Sequence, residues 1–179
     1  MSRESIWFLA VFVATWAGIL DWRYRRIPNW LSMSALVAGV AVNSAVSGLA
    51  GLKTSLLGAL LGLAVLLPFY LLRAMGGGDW KLVGALGAIL GSARLVDVLF
   101  AAILVAGVMA AGLIVTKGRV RESLRNIGNM LASLLRLQMP GPEVSLDNPN
   151  AAKVPFGVSV AIAVLLYGAH EAWRVLGRA

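Results

Sequence analysis

The chain has 179 residues, 59% of them hydrophobic and only 13% charged, with a net charge of +8, no cysteine and one histidine. Soluble domains run near 45–50% apolar with about 25% charged residues, whereas here the charges cluster between long apolar runs, one of which (56–72) holds no charged side chain. That pattern places the chain in lipid. It excludes disulfides, thiol nucleophiles, cysteine-based zinc sites and multi-histidine metal clusters, and the basic residues fall in short loops rather than on a nucleic-acid-binding patch.

About 17–25 apolar residues cross a bilayer core as a helix, and that ruler gives six expected spans. The first covers residues 5–20. No basic segment precedes it and no small-residue cleavage pattern follows it, so it is expected to be retained rather than removed as a signal peptide. A polar stretch, Asp21-Trp22-Arg23-Tyr24-Arg25-Arg26-Ile27-Pro28-Asn29, leads to the second span at 30–46, with Pro28 ending the local helix and Asn29 placed to cap the next. The third span runs over 52–73, and Gly76-Gly77-Gly78-Asp79-Trp80-Lys81 then opens a short fourth at 80–91. A fifth follows at 95–116. In the loop 117–153, Val120, Leu124, Ile127, Leu131 and Leu134 recur at helical spacing with Arg121 and Arg125 on other faces, which predicts a cytoplasmic, interfacial amphipathic helix. The sixth span covers 154–173. Unpaired backbone groups are intolerable in lipid, and no alternating barrel pattern is present, so the fold class is an all-α integral membrane bundle forming one domain.

Orientation follows from lysine and arginine. With six spans, the loops after the first, third and fifth share one side and carry eleven of the sixteen basic residues. Those loops are expected in the cytoplasm, with both termini outward. Asp97, His170 and Glu171 then lie on the outer side, Glu143 and Asp147 in a solvated connector, and the six tryptophans mostly in interfacial belts.

Ionisable groups near membrane depth need a reason. Asp21 and Asp79 both fall at the cytoplasmic boundary. Two carboxyls held close cannot both ionise, so one keeps a proton and the pair can perform acid–base chemistry on a peptide bond. The bland alternatives are that Asp21 pairs with Arg23, Arg25 and Arg26 at the headgroups and that Asp79 caps a helix. Gly76, Gly77 and Gly78 argue for chemistry, because three glycines give an extended backbone free of side chains that another chain can approach closely. Lys81 either acts on Asp79 or substrate, or only follows the charge bias of the cytoplasmic face. Arg23, Arg25 and Arg26 are expected to serve topology.

These motifs resemble the prepilin peptidase family, aspartic proteases with a G-x-G-D motif, and most of all its short branch serving Flp/Tad-type pili. The D-x-R-x-x-x-I-P-N stretch is matched from Asp21 to Asn29, and G-G-G-D-x-K with a Gly/Ala-rich span from Gly76 to Gly91. A Lys-x-Pro-[Phe/Tyr]-Gly opening of the last helix is matched by Lys153 to Gly157, including Pro155 and Phe156. The resemblance implies an enzyme of the bacterial inner membrane, catalytic through Asp21 and Asp79. It implies cleavage of a prepilin or pseudopilin leader after a glycine at the cytoplasmic face, with no metal or cofactor. Larger relatives add a cysteine-rich domain and methylate the product; this chain has neither, so processing without methylation is expected. Another G-x-G-D protease working within the bilayer, or a non-enzymatic cation-binding transporter subunit, are the competing readings.

Overall fold

The computed structural model describes residues 3–72, 75–116 and 154–177, together with 118, 125 and 128. Five helices account for nearly all of them: α1 Arg3–Tyr24, α2 Asn29–Leu71, α3 Gly77–Leu90, α4 Ser92–Thr116 and α5 Phe156–Leu176. No strand occurs among the described residues. Four helices (α1, α2, α4 and α5) contain stretches long and apolar enough to cross a membrane.

The second and third expected spans are the two limbs of α2, which meet at Gly48, whose φ of 57° and ψ of −137° are inaccessible to most side chains. The chain reverses there. Ser55 Oγ comes within 3.3 Å of the Gly39 carbonyl oxygen, although sixteen residues of straight helix would separate them by about 24 Å. The fourth expected span is only the 14-residue α3, about 21 Å long against a hydrocarbon thickness of about 30 Å. Apart from positions 125 and 128, the predicted amphipathic helix lies outside the described residues.

α3 is short because it is an insert, wedged between the two limbs of α2. From Leu82 to Leu90 every residue is buried. A bilayer supplies no hydrophobic drive between helices, so close backbone contact must hold them, and glycine makes that possible. Gly58 and Gly87 face each other so closely that a Cβ on either would strike the other's carbonyl, while a Cβ on Gly39 would sit 2.8 Å from the Ile89 side chain. Two polar side chains complete the wedge. Asn43 Nδ2 donates to the carbonyls of Ala88 and Ile89 at 3.0 and 2.9 Å, and Ser55 Oγ to Ala88 at 2.6 Å. These groups satisfy carbonyls that a helix ending inside the bundle leaves without partners.

α1 and α5 run antiparallel. A Cβ on Gly18 would stand 2.8 Å from Ala161, and further along each helix Trp7 stacks on Tyr167 with ring centroids 5.5 Å apart. At that end Tyr167 also donates to Asp97 of α4 at 2.9 Å, and Arg94 lies over the Trp7 ring. The opposite end of the pair carries Asp21 and Gly157.

Candidate active site

The site is built from three helix ends. α1 finishes at Tyr24, and Arg25 adopts φ 54° while its N–H donates to the Asp21 carbonyl at 2.9 Å, a left-handed residue closing the last turn. This turn sends Ile27 back into the bundle, where it is 7% exposed although Trp22 and Tyr24 beside it face outward. Pro28 follows at φ −70° and starts α2. Ile27 is the pin of the site: its backbone and side chain press on Gly78 of α3, and its side-chain tip reaches Gly157 of α5.

Asp21 is 6% exposed, and its Oδ2 accepts the Gly157 N–H at 2.8 Å, with the Val158 N–H also acting on it. The Pro155 carbonyl receives the first helical bonds of α5, from Val158 and Ser159, so Pro155 occupies the capping position. Proline has no side-chain acceptor to offer the free N–H groups of the first turn. Asp21 supplies it from another helix, acting as the cap of α5 from 136 residues away. Gly157 must be small for this, since a Cβ there would lie 2.9 Å from Asp21 Cβ and 3.0 Å from Oδ2. Phe156, half-buried, packs on the core beside it.

Asp79 lies in the first turn of α3, outside the four spans. It does not cap the helix. Gly76 is the cap, at φ −70° and ψ 146°, and Asp79, three residues on, reaches back to the Gly76 N–H, as the acidic member of a capping box does. Burial above all, and then the charge of Asp21, push the Asp79 carboxyl from the usual 3.8 up to about 7, against a smaller opposing effect of the Gly76 N–H. The two carboxyls therefore belong to one electrostatic site, although no hydrogen bond joins them directly among the described residues.

Several expected roles are reassigned. Only Gly76 is extended; Gly77 and Gly78 are already helical. Their missing side chains admit neighbours within the molecule, the Tyr70 ring 3.3 Å from a Cβ on Gly77 and the Ile27 carbonyl 2.9 Å from one on Gly78. Asn29 does not cap α2, whose capping position is Pro28 without a side-chain bond; Asn29 Oδ1 instead accepts from Lys81 Nζ at 3.0 Å. Lys81 thus ties α3 to the start of α2. Trp80, read as interfacial, turns inward, stacking on Tyr70 at 4.7 Å and donating Nε1–H to the Leu63 carbonyl at 2.8 Å. Sequence reasoning gave Ile27 no role of its own. Its signal was present: an aliphatic residue in a stretch otherwise charged, aromatic or proline. Lys153 lies outside the described residues. No group of three or more metal-ligating side chains occurs among the described residues.

Comparison with known proteins then adds an independent line. No curated protein and no solved structure matches the chain. Residues 7–111, which hold both aspartates and the glycines around Asp79, match the family model described as the type IV leader peptidase family. The match takes in more than half of the sequence and runs from within α1 through most of α4. This chain is a multi-pass membrane protein and belongs to the type IV leader peptidase family.

Proposed function

We propose that the protein is a membrane aspartic endopeptidase that removes the basic leader of a prepilin or pseudopilin, with Asp21 and Asp79 sharing one proton. The observation that carries this reading is the meeting at Ile27 of two helix ends whose carboxyls are 58 residues apart in sequence: Ile27 touches Gly157, which holds Asp21, and Gly78, which precedes Asp79. The ionised carboxyl takes a proton from water as its oxygen attacks the scissile carbonyl. The protonated carboxyl polarises that carbonyl and then delivers its proton to the departing amine. Water supplies both the hydroxyl on the new acid and the hydrogen on the new amine, so no other reactant is needed.

Substrate and orientation follow from the family and from charge. Cleavage is assigned after the glycine preceding the apolar pilin helix, at the cytoplasmic face of a bacterial inner membrane, with both termini of this chain outward. Gly76, Gly77, Gly78, Lys81, Pro28, Asn29, Pro155, Phe156 and Gly157 support the site by shaping the helix ends around it. Both aspartates stand at helix ends rather than mid-helix, which favours a substrate cut at the membrane edge over one cut within the bilayer. The test is a processing assay in membranes with a prepilin-type substrate. Asp21→Asn and Asp79→Asn, near in shape but unable to exchange the proton, are each expected to abolish cleavage while inserting normally. Wild-type processing by either variant would remove that residue from the mechanism. Mass spectrometry of the product is expected to show a free, unmethylated amine.

A further inference from the structure

We infer that the first turn of α5 makes Asp21 the resident anion of the pair, so that Asp21 is the base toward water and Asp79 carries the proton to the leaving amine, with Gly157 as the positioning residue. This assignment rests on the peptidase reading above. Three differences between otherwise similar carboxyls support it. Asp21 takes the Gly157 N–H at 2.8 Å together with that of Val158, at the N-terminus of a 21-residue helix, where free donors and the helix dipole favour negative charge. Asp79 takes one backbone donor, from Gly76, at the end of a shorter helix. Among the described residues, Arg25 places a positive charge near Asp21. Lys81, the basic residue nearest Asp79 in sequence, directs its ammonium to Asn29.

Protonating Asp21 would replace a charge-assisted bond by a weaker one in a buried position, and would leave the α5 donors poorly satisfied. Protonating Asp79 forfeits a single donor. One proton distributed between the two therefore goes to Asp79.

Coupled carboxyls titrate as a pair, yet the pair still reports which member is charged. Gly157→Ala places a methyl against Asp21 and weakens its hold on α5. If Asp21 carries the charge in the singly ionised state, losing those donors raises only the first ionisation, because the singly and doubly ionised states are weakened alike. The acid limb of the kcat/KM profile then moves up by about one pH unit, the worth of one charge-assisted bond, and the alkaline limb stays in place. If Asp79 carries the charge, the alkaline limb moves instead. A moved alkaline limb with a fixed acid limb, or two unmoved limbs, would overturn the assignment.

Should the alanine variant fail to fold, carboxyl carbon NMR of the full-length wild type decides. With aspartate resonances assigned through the two asparagine variants, Asp21 is expected as carboxylate and Asp79 as acid at about pH 6. The reverse, or the same state for both, sinks the inference. Full processing by the asparagine variants would sink the peptidase reading instead, whatever the spectra show.

Discussion

A carboxyl that keeps its proton in the folded protein opposes folding once it must ionise. Asp79 is such a group: its value rises from about 3.8 to about 7 on folding, mainly through burial and then through the charge of Asp21. The sign follows directly. Below the unfolded value both states bind the proton and nothing is lost; between the two values the unfolded chain releases it first, so stability falls as pH rises, and above about 7 the loss is complete. Stability is therefore expected to decline between about pH 4 and 7, by at most about 4 kcal/mol, lowering the thermal midpoint in nanodiscs, and to flatten above. Asp79→Asn should remove that slope; an unchanged slope would assign it to another group. Gly78 makes a second case. An added Cβ meets the Ile27 carbonyl at 2.9 Å, the Ile27 Cβ at 3.1 Å and the Ile27 backbone nitrogen at 3.3 Å, all atoms that no side-chain rotation moves, so the strain cannot be relieved that way. Gly78→Ala is expected to cost about 1–3 kcal/mol and to lower processing severely, because Ile27 is the residue through which α1, α3 and α5 meet. Measuring midpoint and rate together checks both. The three glycines were legible as a motif, but the reason for them was not. Sequence shows that a side chain is absent and cannot say what fills its place, which here is Ile27 and Tyr70.

At the scale of the element, the wedge of α3 in α2 raises the question of what holds a helix that stops partway through a membrane. Its terminal carbonyls are shared between two donors, Asn43 and Ser55, and the Ala88 carbonyl takes both. Interhelical side-chain bonds in membranes average about 0.6 kcal/mol and reach about 1.7, less than their apolar setting suggests. Asn43→Leu or Ser55→Ala alone should therefore cost only about 1 kcal/mol, since the other donor still serves Ala88. The double variant leaves that carbonyl buried without a side-chain partner and is expected to cost more than the sum. A double-mutant cycle of unfolding in mixed micelles reads the coupling; strict additivity would mean the two donors act separately. Length and hydropathy found the apolar segments but not this arrangement. A helix surrounded by lipid or by other apolar helices is hydrophobic on all sides, so periodicity carries no sign of which face meets which. The turn at Gly48, by contrast, was legible: the gap between the spans expected at 30–46 and 52–73 contains the break, and helical hydrogen bonding resumes directly after it.

For the whole molecule, the chain path makes a claim that charge counting made first and that can be tested without any substrate. Reversal at Gly48 returns α2 to the end where it began, so Asn29 and the Asp79 turn share one end of the bundle, and the Lys81–Asn29 bond at 3.0 Å closes that loop. Asp21 joins them through Ile27, and α5 starts there through Gly157. The trio of Asp97, Tyr167 and Arg94 stands at the other end, which is why sequence position alone set those residues apart from the site. With no native cysteine, single-cysteine variants report sidedness cleanly. Arg26 and Ser47 are both exposed and lie on either side of the first limb of α2. In intact cells, a membrane-impermeant maleimide is expected to label Ser47→Cys, whereas Arg26→Cys should react only after the inner face is opened. Labelling of both from outside would mean that the limb does not cross. Labelling of Arg26→Cys alone would turn the bundle over and put the aspartates on the face that no cytoplasmic leader peptide reaches. The basic residues at 23, 25 and 26 argue against that inversion, since each favours the cytoplasmic side, and Asp21 beside them is expected on that side with them.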